Sequence, residues 1–182
     1  MSLIQRNNCV GIDCAIQSFQ SGIYAELGLI WGVSWNCYPR VYKNPQKDEN
    51  GNVFYKPEYI DGNYEYNIET LFDDKSPLTS FFVVGDVLNF TEGRPYGTAS
   101  LIFSCDITKL YPLETMKADE RMHVDIMNAI TELGFSNWEP ESVEIGFENV
   151  YREFRKDGLE WSSLSNRHIV RFNFSVNYST YC

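Results

Sequence analysis

Two histidines and five cysteines are the side chains of this 182-residue sequence best suited to nucleophilic or metal chemistry. A nucleophile arrangement could only join Cys105 or a serine to His123 or His168. His123 lies between Met122 and Val124 in a helical pattern, where it reads as a surface or boundary residue, and His168 opens the last strand beside Arg167. Nothing in the spacing brings either ring to a thiol. Cys9, Cys14, Cys37, Cys105 and Cys182 contain no CxxC pair, and neither histidine stands at ligand spacing from another candidate. They read as reduced thiols, small apolar core residues with an exposed Cys182 at the end. The stretch Lys47-Asp48-Glu49-Asn50-Gly51-Asn52 offers oxygens to calcium but lacks the later glutamate of an EF-hand, so it reads as a polar hairpin tip. Phosphate-binding, dinucleotide-binding, zinc-protease and serine-hydrolase motifs are all missing. The expectation is a chain without catalysis, metal or cofactor. A thiol or carboxylate hydrolase is the enzymatic alternative.

The elements that would position these residues form one domain, 1–182. A chain of this length can bury a core without crosslinks. Its 43% hydrophobic and 22% charged residues are ordinary for a globular fold. The apolar runs are too short to cross a bilayer, and the start MSLIQRNN carries no basic stretch followed by an apolar one. The reading is a soluble, intracellular product with no membrane partner.

Ile12, Ile16, Phe19, Ile23 and Leu27 recur at three and four, which predicts a helix over 7–27, capped by Asn7 or Asn8 and ended by Gly28. A short extended segment, 29–38, should carry Trp31 and Trp35. Ala118, Met122, Ile126, Ala129, Ile130 and Leu133 predict a second helix over about 115–133, with Gly134 as its stop. Strands are expected at 81–88 and 99–110, and again at 143–147. The last strand should bury Val170, Phe172, Phe174, Val176 and Tyr178 and wet its other side. The predicted class is α+β, a mainly antiparallel sheet with two helices on one face.

Between 38 and 72 lie six of the twelve tyrosines, three prolines and the turn pairs Asn50-Gly51 and Asp61-Gly62. This predicts one or two hairpins, a Tyr-rich excursion. Tyrosines of this kind serve either a partner surface or a hairpin packed on its own domain.

With 25 acidic and 15 basic residues the net charge is -10, which opposes any nonspecific grip on nucleic acid. Glu139, Glu141, Glu144 and Glu148 precede a basic group of Arg152, Arg155, Lys156, Arg167 and Arg171. This reads either as oppositely charged faces or as the solvated sides of two strands.

The run VYREFRKDGLEWSSL, Val150 to Leu164, followed by the strand HIVRFNFSVNY, resembles the closing segment of bacteriophage tail terminators of the minor tail protein U type. The residues are similar over about 150–178, and the order of elements is similar across the rest. The excursion at 38–72 looks like an insertion relative to that pattern, and a related neck ring protein fits equally. The resemblance implies a virion protein made in the host cytoplasm. It would be one subunit of a closed ring, usually six copies, that caps the tail tube protein and docks a neck, head-completion or portal protein. DNA would pass through without specific binding. On that reading, Tyr55, Tyr59, Tyr64, Tyr66, Tyr151 and Trp161 are the expected subunit interface, and Glu139, Glu141, Glu144 and Glu148 the expected acidic lining of the lumen. A non-catalytic adaptor that uses its Tyr-rich region as a contact surface is the other reading.

Overall fold

The computed structural model describes residues 3–60, 66–68, 76–91, 93–114, 118–154 and 167–179. The first helix, α1 (Ile12–Trp31), starts later and runs longer than its spacing predicts. Trp31 adds one more buried turn to the stripe, so the helix passes through Gly28. It ends at Gly32, which takes the left-handed conformation (φ 61°) and donates its N–H to Gly28 O. Gly11, not Asn7 or Asn8, stands at the N-cap, with no side-chain cap.

Three strands follow, β1 (Asn36–Lys47), β2 (Val53–Ile60) and β3 (Tyr66–Ile68), and then the long pair β4 (Leu78–Thr91) and β5 (Arg94–Asp106). The short α2 (Ile107–Leu110) replaces the predicted end of the second of these strands. Asp106 begins that turn, accepting from Thr108 N and Thr108 Oγ1. The second predicted helix is α3 (Asp119–Leu133), ended at Gly134 as its sequence implies. The chain continues through β6 (Trp138–Ile145), one turn of α4 (Phe147–Val150) and β7 (Arg167–Asn177).

The sheet has seven strands in the order β3-β2-β1-β4-β5-β7-β6. Every pairing is antiparallel except β1 with β4. The α+β class with two helices on one face is therefore the fold. On that face α1 and α3 cover alternate residues of the central strands, including Leu101, Phe103 and Cys105 of β5 and Val170, Phe172 and Phe174 of β7.

The other face of β7 is not simply wet. Ile169 and Arg171 are buried there, and Phe81, Val83 and Ile102 pack with Val150, Tyr151 and Phe154 into a second, smaller core. The sequence at 147–154 turns into α4 and a following turn that cover this face, where a continued strand alternation was expected.

The Tyr-rich excursion is partly built into the sheet. Residues Asn36 to Val41 of β1 pair with β4, and only from Tyr42 onward does β1 pair with β2. The predicted boundary at 38 thus falls inside a core strand, with Cys37 and Val41 buried. Asn50-Gly51 makes the expected turn. Asp61-Gly62 and Asp157-Gly158 lie outside the described residues.

Candidate assembly surface

The β4–β5 ribbon begins in the core and ends in solvent. Its register runs from Leu78↔Cys105 to Thr91↔Arg94. The neighbours give out earlier: β1 pairs with β4 only as far as Val83, and β7 pairs with β5 only from Tyr96. On its β4 side the ribbon therefore runs on without a neighbouring strand among the described residues, while β7 and Tyr178 follow β5 as far as Pro95. A bulge between Val84 and Leu88 marks the departure. Gly85 sits there because a Cβ at that position would lie 2.1 Å from Thr98 Oγ1.

Past this bend three large apolar side chains are exposed among the polar Asp86, Asn89 and Thr91. Val87 is 65% exposed, Leu88 54% and Phe90 67%. Three large apolar side chains exposed on one edge of a ribbon contribute little to their own fold. The strand expected at 81–88 runs on to Thr91, and its last six residues are exposed.

The acidic residues form a second surface. Strand β6 is the sheet edge, and its register against β7 places Glu139 and Glu144 opposite Ser175 and Arg171, on the face away from α1 and α3. Glu141 lies at the bulge and accepts from Ser175 Oγ at 2.8 Å. Glu144 is paired with Arg152 and accepts from Asn173 Nδ2 at 3.0 Å. Three of the four carboxylates thus share one face, while Glu148 is exposed on α4. The Glu144–Arg152 pair shows that the acidic and basic groups are partly interleaved, not sorted onto opposite faces.

The predicted tyrosine interface divides. Tyr55 is exposed, and Tyr59 is half-buried with its ring 4.9 Å from that of Tyr38. Tyr66 pairs in β3 with Ile60. Tyr64 and Trp161 lie outside the described residues. Tyr151 is a correction. It is fully buried, lying parallel to Phe81 at 6.3 Å, because the turn after α4 folds it beneath the sheet instead of out toward a partner.

The chemistry-bearing residues also have definite places. Cys105 stands opposite His168 in the β5–β7 register, but its thiol is buried and pushed up to about 12, with desolvation the main cause, so it is protonated at neutral pH. Burial likewise raises the Cys37 thiol to about 11. Cys14 is disulfide-bonded, which departs from the expectation of five reduced thiols, and its Sγ lies 3.3 Å from Cys9 Sγ. Asp48 spends its carboxylate on its own turn, accepting from Asn50 N, Asn52 N and Asn52 Nδ2 at 2.8 to 3.0 Å, so the loop is the polar tip its sequence implies. The two histidines meet each other, a contact to which nothing in their spacing points.

One cleft, of about 220 Å³, opens beside α3. Asp125 organises its wall, accepting from the Tyr111 hydroxyl at 2.6 Å and from Trp31 Nε1 at 2.9 Å. Burial and the Asp125 charge push the Tyr111 phenol well above its ordinary range, so it acts there as a fixed donor. No protein family, curated protein or solved structure matches the chain.

Proposed function

We propose that this chain is a virion structural protein, one subunit of a closed ring at the head-proximal end of a phage tail, as tail terminator or neck ring. The observation that carries the reading is the exposed apolar group Val87, Leu88 and Phe90 on β4, past the end of its pairing with β1. Head-to-tail rings need a protruding element on one side and a receiving surface on the other, repeated until the rotation closes. An aromatic anchored on a rigid ribbon suits the protruding role, since little side-chain freedom is lost when it docks. The shared acidic face of β6 supports the same reading, because a lumen lined with carboxylates lets DNA slide without being held. The adaptor reading draws its support from the β1–β2 ribbon, where Val53 and Tyr55 are exposed.

The test is Phe90→Asp combined with Val87→Asp. Both positions are solvent-exposed, so the isolated subunit should melt within about 0.5 kcal/mol of wild type. Ring formation, read by mass photometry and negative-stain microscopy at high concentration or with tail tube protein, should weaken at least about thirtyfold, the loss of one aromatic hot spot. Rings that form as well in the double variant as in wild type would remove the proposal. A wild-type chain that stays monomeric with tube protein present, yet captures partners through Tyr55, would favour the adaptor.

A further inference from the structure

Both histidines of the chain converge on one point. His123 comes from α3 and His168 from the start of β7, 45 residues apart in sequence, and their Nε2 atoms lie 2.8 Å from each other. The ring centroids are 4.9 Å apart and the planes are inclined at 47°. Neither ring is fully exposed, and the His123 side chain is 14% accessible. At this separation only one of the facing nitrogens can carry a proton, which it donates to the lone pair of the other. Whatever replaces that shared proton meets two imidazole nitrogens already aimed at the same spot.

We propose that His123 and His168 form a bis-imidazole site for a divalent late transition metal, with Cu²⁺ or Ni²⁺ preferred to Zn²⁺. The distance decides the preference. With metal–nitrogen bonds of about 2.0–2.1 Å, two ligands at a right angle stand about 2.9 Å apart, and two at the tetrahedral angle about 3.3 Å. The observed 2.8 Å matches the edge between adjacent corners of a square-planar or octahedral cation, so the nitrogens keep their separation and the rings, now nearly end to end, tilt to turn both lone pairs toward the ion. A tetrahedral ion would have to push α3 and β7 apart.

The surroundings agree with a two-ligand site. No group of three or more candidate ligands occurs among the described residues, so these supply the two imidazoles of a chelate and not a closed structural site. Glu120 lies 3.9 Å from Nδ1 of His123, the nitrogen that does not face His168. The adjacent Arg167 sends its guanidinium to Ser76 O at 2.8 Å and Ser104 Oγ at 3.2 Å. Binding replaces one proton by one cation and ties α3 to β7.

The experiment uses the full chain without an affinity tag, titrated with CuCl₂ and NiCl₂ by calorimetry and, for copper, by electron paramagnetic resonance. One equivalent of Cu²⁺ with hyperfine splitting from two nitrogens is expected, together with a rise in Tm. His123→Ala and His168→Ala should each weaken binding at least tenfold and abolish the Tm rise, while Glu120→Gln keeps the site. Broadening of both histidine imidazole resonances by Ni²⁺ in the wild-type chain gives a readout that does not depend on the variants folding. Stoichiometry and affinity unchanged in both alanine variants, or no binding at millimolar metal, would overturn the proposal. Zinc binding more tightly than nickel would overturn its right-angle geometry.

Discussion

Glu153→Ala should lower the unfolding free energy by about 3 kcal/mol, a loss far out of proportion to a residue near the protein surface. Arg171 is the cause. It is 4% exposed, lies in the middle of β7 on the face covered by α4, and presents its fork to both Glu153 oxygens at 3.0 and 3.1 Å. Its Nε donates to Asn173 Oδ1 at 2.9 Å. Removing the carboxylate strands a buried guanidinium that cannot shed its proton. Because Glu153 keeps some contact with water, the expected cost sits at the low end of the range for broken buried pairs. Replacing both partners, as Arg171→Met with Glu153→Leu, should recover most of the loss, since no unpaired charge remains. Urea denaturation of the three proteins settles it. A Glu153→Ala cost under about 1 kcal/mol would mean that water reaches the guanidinium and that this second core is looser than its packing implies.

The second large effect belongs to the principal core. Phe19→Ala should cost about 4 kcal/mol, toward the upper part of the range for buried aromatic truncation. Phe19 has no accessible surface and lies stacked on Trp138, with centroids 4.2 Å apart and planes 17° from parallel. Phe174 and Phe135 each approach it at 5.4 Å, and Phe82 at 6.1 Å. The residue therefore joins α1 to four aromatic rings, three of them on strands and one after α3. Truncation leaves a cavity ringed by stiff side chains that cannot collapse into it. Trp138→Phe should cost much less, because the buried indole N–H has no partner among the described residues and its removal relieves a desolvation penalty. Thermal and urea unfolding would test both. Equal costs for the two substitutions would show that the stack is not what holds α1 to the sheet.

The parts of this architecture that were legible in the sequence are those with a long period. The stripe Ile12 to Leu27 and the alternation Val170 to Val176 each repeat often enough to specify a face, and both faces lie where the pattern puts them. Short elements carry no such signal. One turn at Phe147 to Val150 cannot display a helical period, so the second core beneath it, and with it the burial of Tyr151 and Arg171, was invisible. The ribbon tip was hidden for the opposite reason: Val87, Leu88 and Phe90 continue the apolar composition of the buried half of β4, and only the end of the β1 pairing at Val83 goes with their exposure. The acidic group was legible as a set, since three of the four share one face, but the Arg152 that interleaves with it was not. The histidine pair depends wholly on the docking of α3 against β7, and no spacing rule spans 45 residues.

The parallel pairing of β1 with β4 bears on how the molecule carries load. Because β1 and β4 run the same way, the chain leaves β1 at one end of their shared stretch and must re-enter β4 at the other. The Tyr-rich excursion is thus anchored at opposite ends of two adjacent strands, separated along the sheet by about six residues, or roughly 20 Å. A pull on that excursion does not peel the strands apart one hydrogen bond at a time. It draws β1 and β4 past each other, so that all the bonds between Asn36 and Val41 and their partners resist together, and traction on the ribbon meets the stiffest direction of the sheet.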